Sequence, residues 1–166
     1  MGWKKWSSRD LRGSDTLDSR QVVERIEEIE SEVEDAQNDL AEALLALSEA
    51  LAERPDEDRT ALTASVDAAR AALDALKGDT DEELAALRAL AREGESECSN
   101  WADGETLIRE EYFVEYAKQL ADDIGAVNGD AKWPNNHIDW DAAADELRQD
   151  YVELTFDGDT YLARSC

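Results

Sequence analysis

Basic residues are scarce in this chain. Its 166 residues carry 17 lysines and arginines against 42 aspartates and glutamates, a formal charge of −25. A surface of that sign repels phosphate, so direct binding of nucleic acid is excluded as the main activity and the expected partner is basic, or there is none. Cysteine is nearly absent: Cys98 and Cys166 make neither a disulfide framework nor a four-ligand zinc site, which points to a reducing compartment. No run of about 18 apolar residues is present to span a membrane. Lys4 and Lys5 are not followed by the apolar stretch of a secretory leader, so a cytoplasmic protein without membrane contact is expected. Aromatic residues are few, at 7%, although 42% of the chain is apolar; with alanine so common, the expected core is thin and mostly helical.

The residues that usually carry chemistry are lacking too. His137 is the only histidine, flanked by Asn136 and Ile138, with no serine or cysteine beside it to activate. It reads as a loop residue that hydrogen-bonds locally. Cys98 lies among Glu95 and Glu97, whose charge disfavours a thiolate. Asp157-Gly158-Asp159 lacks the alternating acids and terminal glutamate of a calcium loop, and no glycine-rich phosphate cradle occurs. The expectation is a protein without catalytic residues, metal or cofactor.

Organisation is clearer. Residues 1–20 hold five bases and three acids, and residues 1–18 read as a basic arm whose Trp3 and Trp6 dock on the remainder. From Ser19 a heptad seam begins: Val22, Ile26, Ile29, Val33, Ala36, Leu40, Ala43, Leu47 and Ala50 alternate steps of four and three. Pro55 interrupts it, and Leu62, Val66, Ala69, Leu73 and Leu76 resume the rhythm up to Gly78. So short a break favours an antiparallel hairpin, with a homodimer through the same seam as the open alternative. Thr80 and Glu83 read as a capping box that starts a short third helix, stopped by Gly94.

The polar stretch 94–105 is the expected boundary, giving an arm 1–18, an acidic helical segment 19–95 and a small α+β domain 96–166. In that last part Ile108, Tyr112, Phe113, Tyr116, Leu120 and Ile124 predict an amphipathic helix ended by Gly125, and Asp139 predicts the N-cap of another. Tyr151–Phe156 and Thr160–Arg164 then alternate with period two around Asp157-Gly158-Asp159, a hairpin signal. The fold class is therefore mainly α, a long helical hairpin (antiparallel coiled coil) followed by helices packed on a β-hairpin.

What remains is acid. Between Glu24 and Asp35 stand seven carboxylates and one base, Arg25, in 12 residues, none on the seam. At a helical rise of about 1.5 Å per residue this is one negative charge per ~2.6 Å. Duplex DNA carries one per about 1.7 Å, a similar density. Like charges at i and i+4, such as Glu24 with Glu28 or Glu30 with Glu34, repel by about 0.2–0.5 kcal/mol per pair. Bases that would offset them are missing. The candidate partner-binding residues are Glu27, Glu28, Glu30, Glu34, Asp35 and Glu42, with Asp122, Asp123, Asp141 and Asp145 as a second patch, each accepting from arginine or lysine of the partner.

The C-terminal part also resembles known proteins. Gly104-Glu105-Thr106-Leu107-Ile108, the helix Tyr112 to Gly125, Trp133-Pro134-Asn135-Asn136, Ile138-Asp139-Trp140-Asp141-Ala142-Ala143 and Phe156-Asp157-Gly158 are similar to small acidic proteins of phages and mobile elements. More distantly, the end of the chain resembles ArdA-type antirestriction proteins. Ala144-Asp145 stands where that family usually has Gly-Arg, and residues 1–95 read as helical where the family pattern has strands. The resemblance implies inhibition of type I restriction enzymes by imitation of DNA. Together with the acid surface it predicts a phage-type anti-defence protein that enters the nucleic-acid-binding channel of a restriction or CRISPR nuclease complex in the host cytoplasm. The alternatives are a coiled-coil adaptor whose acidity is incidental, and adaptation to a high-salt host.

Overall fold

The computed structural model describes residues 11–53, 58–128 and 132–165; Trp3, Trp6 and Pro55 lie outside them. The fold is mainly α with a small α+β part. In chain order the elements are β1 (Thr16–Asp18), α1 (Ser19–Glu53), α2 (Thr60–Glu97), the one-turn α3 (Trp101–Gly104), β2 (Thr106–Arg109), α4 (Phe113–Asp123), α5 (Trp140–Leu147), β3 (Tyr151–Phe156) and β4 (Asp159–Arg164). Two compact units result, one of residues 24–85 and one of residues 1–23 with 86–166. This division differs from three consecutive segments, because both long helices run through both units.

In the hairpin unit the heptad seam does what its period requires. Ile29, Ala50, Val66 and Leu73 are buried and the seam residues between them half-buried. The expected break at Gly78 and the short third helix are absent: α2 runs 38 residues without interruption. Continued in phase from Leu76, the four-three rhythm passes through Thr80, Glu83, Leu87, Leu90 and Gly94, all of them buried. Thr80 is therefore an interior seam residue whose hydroxyl donates to the carbonyl of Leu76 at 2.8 Å, which satisfies it within the helix.

Both long helices begin on an aspartate. Ahead of α1, the Arg20 N–H donates to the Asp18 carboxylate at 2.9 Å, and the Asp18 N–H donates to Gln21 Oε1 at 3.1 Å, a reciprocal cap. Ahead of α2, Asp58 accepts from the Thr60 N–H at 2.9 Å and from its hydroxyl at 2.6 Å. The Arg20 guanidinium holds the Asp18 carboxyl below the usual carboxylate range, and the Thr60 hydroxyl does the same for Asp58.

The other unit is built on a four-stranded antiparallel sheet of order β1-β2-β4-β3. Thr16–Asp18, expected in a loop-like arm, is an edge strand, with Leu17 opposite Leu107. Thr106–Arg109 is likewise a strand and not the start of a helix, so Ile108 pairs with Leu162. The β3–β4 hairpin closes through Asp157 and Gly158, both with positive φ (51° and 89°), a two-residue type I′ connection. One sheet face carries Ile108 and Leu162 against Phe113, Ala117 and Ala144 of the helices, with Tyr112, Tyr116 and Tyr151 at the margin. Helix α4 ends in a Schellman motif: the Gly125 N–H bonds to Asp122 O and the Ala126 N–H to Ala121 O, with Gly125 at φ 71°. Asp139 caps α5 as predicted, accepting from the Ala142 N–H at 3.1 Å.

Two close approaches hold this unit together. Trp101 is buried over Gly94, where a Cβ would overlap its ring carbons; glycine is there for that ring and does not end the helix. Ser19, fully buried, donates its hydroxyl to Trp101 O at 2.6 Å and accepts from the Glu105 N–H at 2.7 Å.

Candidate functional site

The acid-rich half of the hairpin unit is organised around its lone early base. Arg25 sits beside the seam with its side chain 12% exposed, and from there its guanidinium reaches the second helix. Its Nε and Nη2 donate to the two oxygens of Glu83 at 2.7 and 3.2 Å, and its Nη1 donates to Glu28 at 2.6 Å. Glu83 and then Glu28 hold the guanidinium even more basic than usual. Glu83 is a seam residue, buried with its side chain 7% exposed, and the bidentate fork is what makes that position tolerable. The cluster of one cation and two anions joins the start of α1 to the 79–83 region of α2.

That pairing sorts the predicted acids. Glu28 is half-buried and committed to Arg25. Glu27, Glu30, Glu34, Asp35 and Glu42 are exposed. Their spacing places Glu27, Glu34, Asp35 and Glu42 opposite the seam, at about 100° per residue, and Glu30 on its flank. Among the described residues, Glu27, Glu34, Asp35 and Glu42 have no ion-pair partner. Asp79, Asp81 and Glu82 on α2 are exposed as well, at the same end as Glu24–Asp35 because Glu83 reaches Arg25. The capping-box reading concealed these three; the unbroken seam phase was the signal that α2 continues through them.

The second predicted patch lies in the sheet unit. Asp122 and Asp123 are exposed in the last turn of α4, where their charge opposes the negative helix end. Asp141 is exposed in the first turn of α5, where the helix end favours it, and Asp145 one turn later. The ten candidate residues thus fall into two groups on separate units, six on α1 and four on α4 and α5.

No family model, curated protein or solved structure matches this chain. Function must be read from its own residues. Among the described residues no group of three histidine, cysteine or acidic side chains is placed to hold a metal ion, and no helix is long and apolar enough to cross a membrane. Cys98, read among the acids of the polar stretch 94–105, is buried next to the end of α2 and is a packing residue. His137 is exposed in a single 3₁₀ turn, its N–H donating to Pro134 O at 2.7 Å.

The hairpin unit holds 20 acids and five bases in residues 24–85, and the acids are concentrated at one end. Such a surface offers acceptors at close spacing on a stiff support. Chemically, such acceptors can pair with guanidinium or ammonium groups.

Proposed function

We propose that this protein is a non-enzymatic, phage-type anti-defence inhibitor that presents a DNA-like row of carboxylates to the basic nucleic-acid-binding channel of a restriction or CRISPR nuclease complex. It acts in the host cytoplasm and does not itself bind nucleic acid. The observation that carries this reading is the unpaired acid face of α1: Glu27, Glu34, Asp35 and Glu42 project from a rigid helix without a base to offset them. Repulsion between like charges along one helix costs stability, and a selected benefit at a cationic surface accounts for its retention. Glu30 extends the row, and Asp79, Asp81 and Glu82 widen it. Glu28 supports it from behind through Arg25. Asp122, Asp123, Asp141 and Asp145 supply the second contact.

Each carboxylate accepts from arginine or lysine of the target, so binding displaces counterions from both surfaces and weakens with added salt. The test is capture of a nuclease complex on the immobilised protein, followed by elution with duplex DNA. Displacement by DNA is expected. A partner retained equally well with DNA bound to it overturns the reading. So does undiminished inhibition by a variant carrying Glu→Gln and Asp→Asn at 27, 30, 34, 35, 42 and 82.

A further inference from the structure

The far half of the hairpin differs from the acid-bearing half. Residues 24–42 carry nine acids and one base, whereas residues 43–52 carry one acid and no base and residues 60–73 one of each, with four acids and two bases in the connecting residues 53–59. In that nearly neutral stretch α1 is too apolar for a two-helix hairpin. Beside the seam positions Leu40 and Leu47 stand Leu44 and Leu51, so that 40, 44, 47 and 51 form a further stripe in steps of four, three and four. A stripe three positions wide in every seven is the pattern of a helix packed on more than one neighbour; two strands bury only the seam. Leu44 and Leu51 are accordingly left 42% and 52% exposed in this structure. Leucines repeated on one helix flank form an apolar edge that a water-facing helix has no use for.

Charge decides what covers it. A molecule of net charge −25 repels a second copy of itself over most of its surface, and this stretch is where two copies can approach without stacking carboxylate on carboxylate. A basic partner would choose the other half. Leucines seven residues apart on one helix also meet each other across a two-fold axis perpendicular to it, Leu44 of one copy against Leu51 of the second. We infer that the flank carrying Leu44 and Leu51 is a self-association surface, on which two hairpins form an antiparallel four-helix bundle with their acidic halves kept outside it. The seam itself stays within each hairpin. This inference is independent of the target of the acid face.

Sedimentation equilibrium on the full chain tests it. The wild type is expected to dimerise, and more tightly as salt is raised, because screening removes repulsion between like-charged copies. Leu44→Ser with Leu51→Ser should raise the dissociation constant at least about tenfold, since both side chains would be central to the interface. Leu45→Ser is the control: Leu45 is 58% exposed, one helix position away from the flank, and its change should leave the dimer intact. All three positions are exposed, and circular dichroism verifies that the helices persist. A wild type that is monomeric at every concentration and salt level overturns the inference, as does a dimer that survives the double substitution or is lost equally with Leu45→Ser.

Discussion

The hydroxyl of Ser19 ties the first turn of α1 to the segment 101–105 through two short hydrogen bonds in a fully buried place. Ser19→Ala leaves the Glu105 N–H and the Trp101 carbonyl without that partner, and an expected loss of about 2 kcal/mol is measurable by urea unfolding. Glycines give a paired case. Gly94→Ala drives a methyl into the Trp101 ring and should cost about 2–3 kcal/mol, with near-ultraviolet dichroism reporting the displaced indole. Gly78 is an exposed, interior residue of α2 with open space around its Cα, so Gly78→Ala should raise stability by about 1 kcal/mol. Read from sequence, both glycines were helix stops. Seam phase separates them, since Gly94 falls on it and Gly78 does not, but only the fold brings Trp101 back over Gly94.

Among the elements, α2 shows why a boundary can be misread. Thr80 and Glu83 have the spacing of a capping box, and polar residues at two consecutive seam positions look like the end of a seam. Only Arg25, 58 residues away and facing Glu83, makes a carboxylate acceptable there. Arg25→Met should therefore lower stability by about 3 kcal/mol, because Glu83 and Glu28 lose their cation. Arg25→Met combined with Glu83→Met should recover most of that loss in denaturant titrations, which is the signature of a coupled pair. The start of α1 adds a pH dependence. The Asp18 carboxyl is held below its ordinary range, so its charged form stabilises the fold. That contribution is complete above the unfolded value near 4 and is lost as the pH falls through the depressed native value. Wild type and Asp18→Ala should accordingly differ in thermal midpoint at neutral pH and converge on acidification.

At the scale of the whole molecule, the two halves of the hairpin unit should respond to salt in opposite senses. On the proposals made above, capture of a basic target through Glu27, Glu34, Asp35 and Glu42 should weaken as ions are added, and pairing through Leu44 and Leu51 should strengthen. Binding and sedimentation measured over one salt series check both signs. Much of this organisation was legible beforehand. Charge sign, the seam from Val22 to Leu76, the Asp157-Gly158 turn and the Asp139 cap depend on residues a few positions apart, and each took the place its pattern predicts. The edge strand at Thr16–Asp18, the strand at Ile108, the burial of Cys98 and Trp101, and the sorting of Glu28 from its neighbours were not. Sequence alone determined that this chain is a strongly anionic helical hairpin joined to a small α+β part, because periodicity and charge are properties of a segment taken by itself. Tertiary structure alone decided which carboxylates are neutralised, which glycine carries a ring and which leucines stay uncovered, because each depends on a second segment arriving within a few ångströms.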